Sequence, residues 1–79
     1  MAINQEWTKA NEEKILNLLT QNAAGLAIET IGSDTNIFEP NLSWLLNRLE
    51  RARKVRIDGY SPTYRLGRPV GTQAHYSLT

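Results

Sequence analysis

The sequence predicts an α+β domain in which three helices precede a β-hairpin, and three observations carry that reading. Leu42, Leu45, Leu46 and Leu49 recur at i, i+3, i+4 and i+7, the spacing of one buried helix face. The period then changes to two, with Val55 and Ile57 alternating against Arg56 and Asp58 as in a strand. A second alternation follows, with Ala74, Tyr76 and Leu78 set against His75 and Ser77.

The first helix is expected from Thr8, as N-cap, to Gln21. Glu12 and Glu13 suit its early turns, where negative charge meets the positive end of the helix dipole, and both read as solvated. Ile15, Leu16, Leu18 and Leu19 form its apolar stripe, and Trp7 just before it is expected to fold back on the core. Asn22-Ala23-Ala24-Gly25 breaks the pattern. Leu26 to Ile31 fits a brief second helix stopped by Gly32, with a strand as the competing assignment because Ile28, Thr30 and Ile31 are β-branched. Ser33 to Asn36 reads as a turn or cap cluster.

The third helix is expected from Pro40 to Arg53, with proline in a first turn that does not need its N–H. Asn36 and Glu39 also have capping-box spacing. Its polar side carries Asn41, Trp44, Asn47, Arg48 and Arg51. Between the two alternating segments, Ser61 to Gln73 holds Pro62, Pro69, Gly67 and Gly71 and is expected to be a long basic loop.

A chain of 79 residues supports one domain, taken as residues 1–79, with a small core and little spare stability. Cysteine is absent, so neither a disulfide nor a thiolate metal site reinforces it. Packing must suffice, or self-association must help. No apolar run approaches the roughly 20 residues of a membrane span, and Met1 to Glu6 lacks the pattern of a secretion signal. A cytoplasmic protein is the expectation.

Enzymatic chemistry finds little to work with. His75 is the single histidine, and its place in the last alternating segment reads as an exposed strand residue. No serine is arranged beside a base, and no glycine-rich phosphate loop is present. No catalytic residue, cofactor, metal or small-molecule effector is expected.

The charge distribution is more telling than the net +1. Residues 1–47 carry two lysines against six acids, a balance of −4, whereas residues 48–79 carry seven basic residues against two acids, a balance of +5. A basic half made mostly of arginine points to one face for a polyanion.

The run Leu42-Ser43-Trp44-Leu45-Leu46-Asn47-Arg48-Leu49-Glu50, followed by Val55, resembles the winged helix-turn-helix family, in particular bacterial regulators of the MarR and ArsR kind. Those have an aliphatic residue and serine, leucines three and six residues after the serine, and an aliphatic residue opening the first wing strand. Tyr76-Ser77-Leu78-Thr79 is similar to the family's last wing strand. The chain departs from the pattern in two places: Arg53-Lys54 stands where the family often has glycine, and Gly32 to Glu39 is longer than the usual tight turn.

The resemblance implies a sequence-specific, double-stranded DNA-binding regulator, nucleoid-associated and homodimeric. The third helix would then enter the major groove through Asn41, Trp44, Asn47 and Arg48, with Arg51 on the same surface and Ser43 at a phosphate. Arg53, Lys54 and Arg56 would meet phosphates at the base of the wing. Arg65 and Arg68 would reach the minor groove, and Gly67-Arg68-Pro69 is similar to the core of AT-hook peptides. For Trp44, partial burial within the monomer ranks ahead of a DNA or dimer contact. Tyr60, Tyr64 and Tyr76 are expected to pack on or edge the core. Two alternatives stay open: a winged helix used as a protein-interaction module through Trp44, or an RNA binder in which Tyr64 stacks on bases.

Overall fold

The computed structural model describes residues 4–79, and among them the order is α1 (Gln5–Gln21), β1 (Leu26–Ala27), α2 (Ile28–Thr35), α3 (Asn41–Arg51), β2 (Val55–Arg65) and β3 (Arg68–Leu78). The expected α+β class is present, with three helices and one antiparallel sheet in the order β1-β3-β2. No helix among the described residues is long and apolar enough to cross a membrane.

The core lies where the helices meet the base of the sheet. Ile15 and Leu19 of α1, Ile31 of α2, Leu42, Leu45, Leu46 and Leu49 of α3, Val55 of β2 and Tyr76 of β3 are buried together, with Ile37 from the α2–α3 link. Each leucine of the i, i+3, i+4, i+7 set points inward, as its spacing requires. Trp7 packs against this cluster from its edge, as expected. Burial raises the pKa of the Tyr76 hydroxyl, and the nearby Glu50 carboxylate adds to the effect.

Helix boundaries differ from the sequence reading where caps compete. Asn4, not Thr8, caps α1: its side-chain oxygen accepts from the backbone N–H groups of Glu6 and Trp7. Thr8 lies one turn inside, buried, with its hydroxyl donating to the Asn4 carbonyl. The Leu26–Ile31 segment divides between the two assignments. Leu26 and Ala27 pair with Tyr76 and His75 as a short strand, and helix begins at Ile28. Gly32 does not stop α2, which runs on to Thr35 and ends at Asn36 in the left-handed conformation, φ 60°. A Cβ on Gly32 would stand 3.0 Å from Leu42 Cδ2, so glycine serves there to let α3 approach closely.

Pro40 sits at the cap of α3 rather than in its first turn, after a cis Glu39–Pro40 bond. Glu39 acts on this end of the helix, though not through Asn36. Its carboxylate accepts from the Ser43 N–H at 2.8 Å and from the Ser43 hydroxyl at 2.5 Å. The helix ends two residues short of Arg53. Arg53 takes φ 60°, its N–H donates to Glu50 and the Lys54 N–H donates to Leu49, which closes the last turn. Arg53 thus adopts the conformation that favours glycine.

The expected long loop from Ser61 to Gln73 is instead strand. β2 and β3 pair from Val55↔Leu78 to Arg65↔Arg68, and only Leu66 and Gly67 form the turn. Both take positive φ, 49° and 77°, the requirement of a type I′ turn. Register irregularities between Ile57 and Gly59 and between Thr63 and Tyr64 absorb the odd residues. Pro62 and Pro69 are tolerated because β1 covers only the Tyr76 and His75 positions, so the distal part of each strand has an open edge. Eleven residues at about 3.3 Å each span roughly 36 Å, close to the 39 Å longest dimension of the molecule. The outer half is a bare two-stranded arm.

Gln73 ties this arm to α2. Its side-chain oxygen accepts from the Glu29 backbone N–H at 2.9 Å, near the start of the helix. Gly25, at φ 86°, turns the chain into β1 with no room for a side chain, since a Cβ would stand 2.5 Å from the Tyr76 carbonyl oxygen and 2.7 Å from the His75 ring. Gly25→Ala should therefore lower the unfolding free energy by roughly 2–5 kcal/mol, from backbone strain plus overpacking. A urea transition with a lower midpoint and unchanged slope would show it.

Candidate nucleic-acid interface

The outward side of α3 follows from its buried side. At 100° per residue, Trp44, Asn47 and Arg51 lie opposite the leucines, with Asn41 and Arg48 on one flank and Ser43 and Glu50 on the other. Asn41, Asn47, Arg48 and Arg51 are exposed, and Trp44 keeps 38% of its surface. Much of the indole is therefore covered within the chain, the arrangement ranked first from sequence.

Arg48 is more constrained than the sequence indicates. Its Nε lies 3.5 Å from Glu12 Oε2 of α1, and its guanidinium stacks 5.1 Å from the centre of the Trp44 ring. The pair is half-exposed on the arginine side, which limits its contribution to stability. Glu12 is thus a partner for α3 and not simply a solvated residue of an early helical turn. This link was invisible because it joins residues far apart in sequence.

Ser43 also has a partner already. Its hydroxyl and N–H both face the Glu39 carboxylate, so a phosphate at this helix end would have to displace that group. At the other end of α3, Arg53, Lys54 and Arg56 are exposed around the turn into β2. The turn itself is pinned by Thr79, whose hydroxyl donates to the Arg53 carbonyl and whose N–H donates to the Lys54 carbonyl.

Arg65 and Arg68 face each other across the hairpin end and are exposed. Gly67-Arg68-Pro69 does not lie extended, since Gly67 belongs to the turn and Arg68 opens β3. Leu66 stands at the tip with 103% of its reference surface exposed. Of the tyrosines expected on or near the core, only Tyr76 is buried. Tyr60 and Tyr64 lie on the arm beyond it and are 69% and 60% exposed. Tyr64 was missed because its segment was read as a loop able to fold back, and Tyr60 because the strand that carries it runs on past the core.

No family model, curated protein or solved structure matches the chain.

Two further features bear on chemistry. An open, largely apolar groove of about 450 Å³ runs between α2 and the α2–α3 link, floored by Ile28, Gly32, Ile37 and Leu42 and edged by Phe38 and Glu39. His75 is no free strand residue: its Nδ1 lies 2.5 Å from Asp58 Oδ1, across the irregularity in β2. Among the described residues no group of three or more His, Asp and Glu gathers as a metal would need.

The hydrogen bond from His75 holds the Asp58 carboxyl below its ordinary pKa. Between that lowered value and the ordinary one the unfolded chain binds more protons, so stability rises with pH there. The contribution is whole above the ordinary carboxylate value and disappears as pH falls through the folded-state value. Asp58→Asn should therefore show a shallower loss of urea midpoint than the parent as pH falls below the ordinary carboxylate range.

Proposed function

We propose that this chain is a winged-helix protein that binds double-stranded DNA and acts as a small transcriptional regulator. One observation carries the reading. The helix that buries all four of its leucines leaves Asn47 and Arg51 uncovered on the opposite side, beside a partly exposed Trp44. An α-helix with such a side suits the major groove, where an asparagine side chain can pair with adenine and an arginine with guanine. The long hairpin with Arg65 and Arg68 at its end supports the same reading as a wing, and Arg53, Lys54 and Arg56 supply positive charge at its base. A homodimer on a pseudo-palindromic site accords with the small size of the core and with the symmetry of such regulators.

A second reading has its own observation. Trp44, partly exposed on α3, and Phe38, 69% exposed beside the groove, are large apolar side chains at the surface, as on a protein-interaction module.

Titration of random-sequence duplex and of single strands at two salt concentrations separates these readings. For duplex binding, log affinity falls with log salt at about −0.9 per phosphate neutralised. Arg68→Ala makes the slope shallower by about 1. Asn47→Ala should reduce discrimination at one base pair by about 1–3 kcal/mol with the slope unchanged. Duplex affinity that is absent at low salt, together with a protein partner lost in Trp44→Ala, would favour the interaction module.

A further inference from the structure

We propose that the hairpin tip is a wedge: Leu66 enters the minor groove between two adjacent base pairs, unstacks them and kinks the duplex. This rests on the duplex-binding reading above and adds what the wing does to the DNA.

The tip is built against its own local preferences. Both turn residues need positive φ, a conformation suited to Asn-Gly, yet the first is leucine at φ 49°. A branched apolar side chain in the left-handed region is strained, and this one touches nothing that would offset the strain. It is 103% exposed, more than any other large apolar residue among the described residues. Among the described residues, none packs on this leucine.

Its neighbours supply the rest of a wedge. Arg65 and Arg68 are cross-strand partners, so their side chains leave the ribbon together immediately behind Leu66, within reach of phosphates or the groove wall. The arm carries the tip well beyond the core, because β2 and β3 each run for eleven residues and only their inner ends pack against helices.

Groove dimensions then decide what entry does. The minor groove of B-DNA is about 6 Å wide. Two strands about 4.8 Å apart, with side chains, exceed that width. Only the tip can enter an undistorted groove, and entry of more of the arm requires the groove to open. An apolar side chain pressed between base pairs opens it by kinking the duplex toward the major groove. The favoured site is a step that unstacks easily, TA or CA/TG, and not a stiff A-tract with a narrow groove.

The test uses the full chain with labelled duplexes carrying a central TA step or a central AATT tract. End-to-end energy transfer reads the bend, and 2-aminopurine at the TA adenine reads unstacking. The parent should bind the TA duplex more tightly than the AATT duplex, shorten its end-to-end distance and raise the 2-aminopurine signal. Leu66→Asn, which suits the turn better and should not lower the melting temperature, should lose both the bend and the signal while still binding duplex. Leu66→Met should keep them. A bend and signal unchanged in Leu66→Asn, an undistorted TA duplex, or tighter binding to AATT would overturn the wedge and leave duplex binding standing. If no duplex is bound at low salt, the underlying reading fails and the wedge fails with it.

Discussion

The seating of α3 fixes nearly everything else in this molecule. Leu42, Leu45, Leu46 and Leu49 are each at most 4% exposed, locked against Ile15 and Leu19 of α1, Ile31 of α2 and Val55 of β2. With a core this small, rotating α3 by one residue would exchange a leucine for Trp44, Asn47 or Arg48. The resulting buried polar groups and lost apolar contacts would cost more than a domain of this size can spare. Orientation is therefore not adjustable. The same constraint that holds the fold decides which side chains face outward, so stability and any recognition by α3 share one cause.

Around that fixed centre, the backbone turns by left-handed residues of different quality. Gly25 and Gly67 adopt positive φ without side-chain strain, and Asn36 is the next best choice for it. Arg53 and Leu66 are not. At Arg53 the conformation is held by the hydrogen bonds that close α3 and by Thr79 across the turn. At Leu66 it is held only by the Arg65–Arg68 pairing that closes the hairpin. Two unfavourable choices of the same kind thus have different settings, one inside a hydrogen-bonded junction and one at a free tip.

The sequence was most legible where a single period persisted. The leucines of α3 and the alternation around Val55 and Tyr76 announced the helix, the sheet base and most of the core. Boundaries were less legible because several residues could serve each cap: Thr8 had the right chemistry, but Asn4 had the right distance to the N–H groups of Glu6 and Trp7. The Ser61–Gln73 segment misled because proline and glycine usually break strands, whereas here open edges and two irregularities accommodate them. At the candidate interface, the polar stripe of α3 was readable in outline. The Arg48–Glu12 pair and the His75–Asp58 bond were not, since each depends on side chains brought together only after the chain has folded, whereas the local Ser43–Glu39 contact was hidden by the competing Asn36–Glu39 capping-box spacing.

The bond between Gln73 and the Glu29 amide has a mechanical side. It joins the arm to the first turn of α2, the helix whose Gly32 faces Leu42 of α3. Tilting the arm away from the helices therefore means breaking this strut. Each opening of that strut frees the Glu29 amide, so the exchange of its proton with solvent registers how often the arm lets go of the helix.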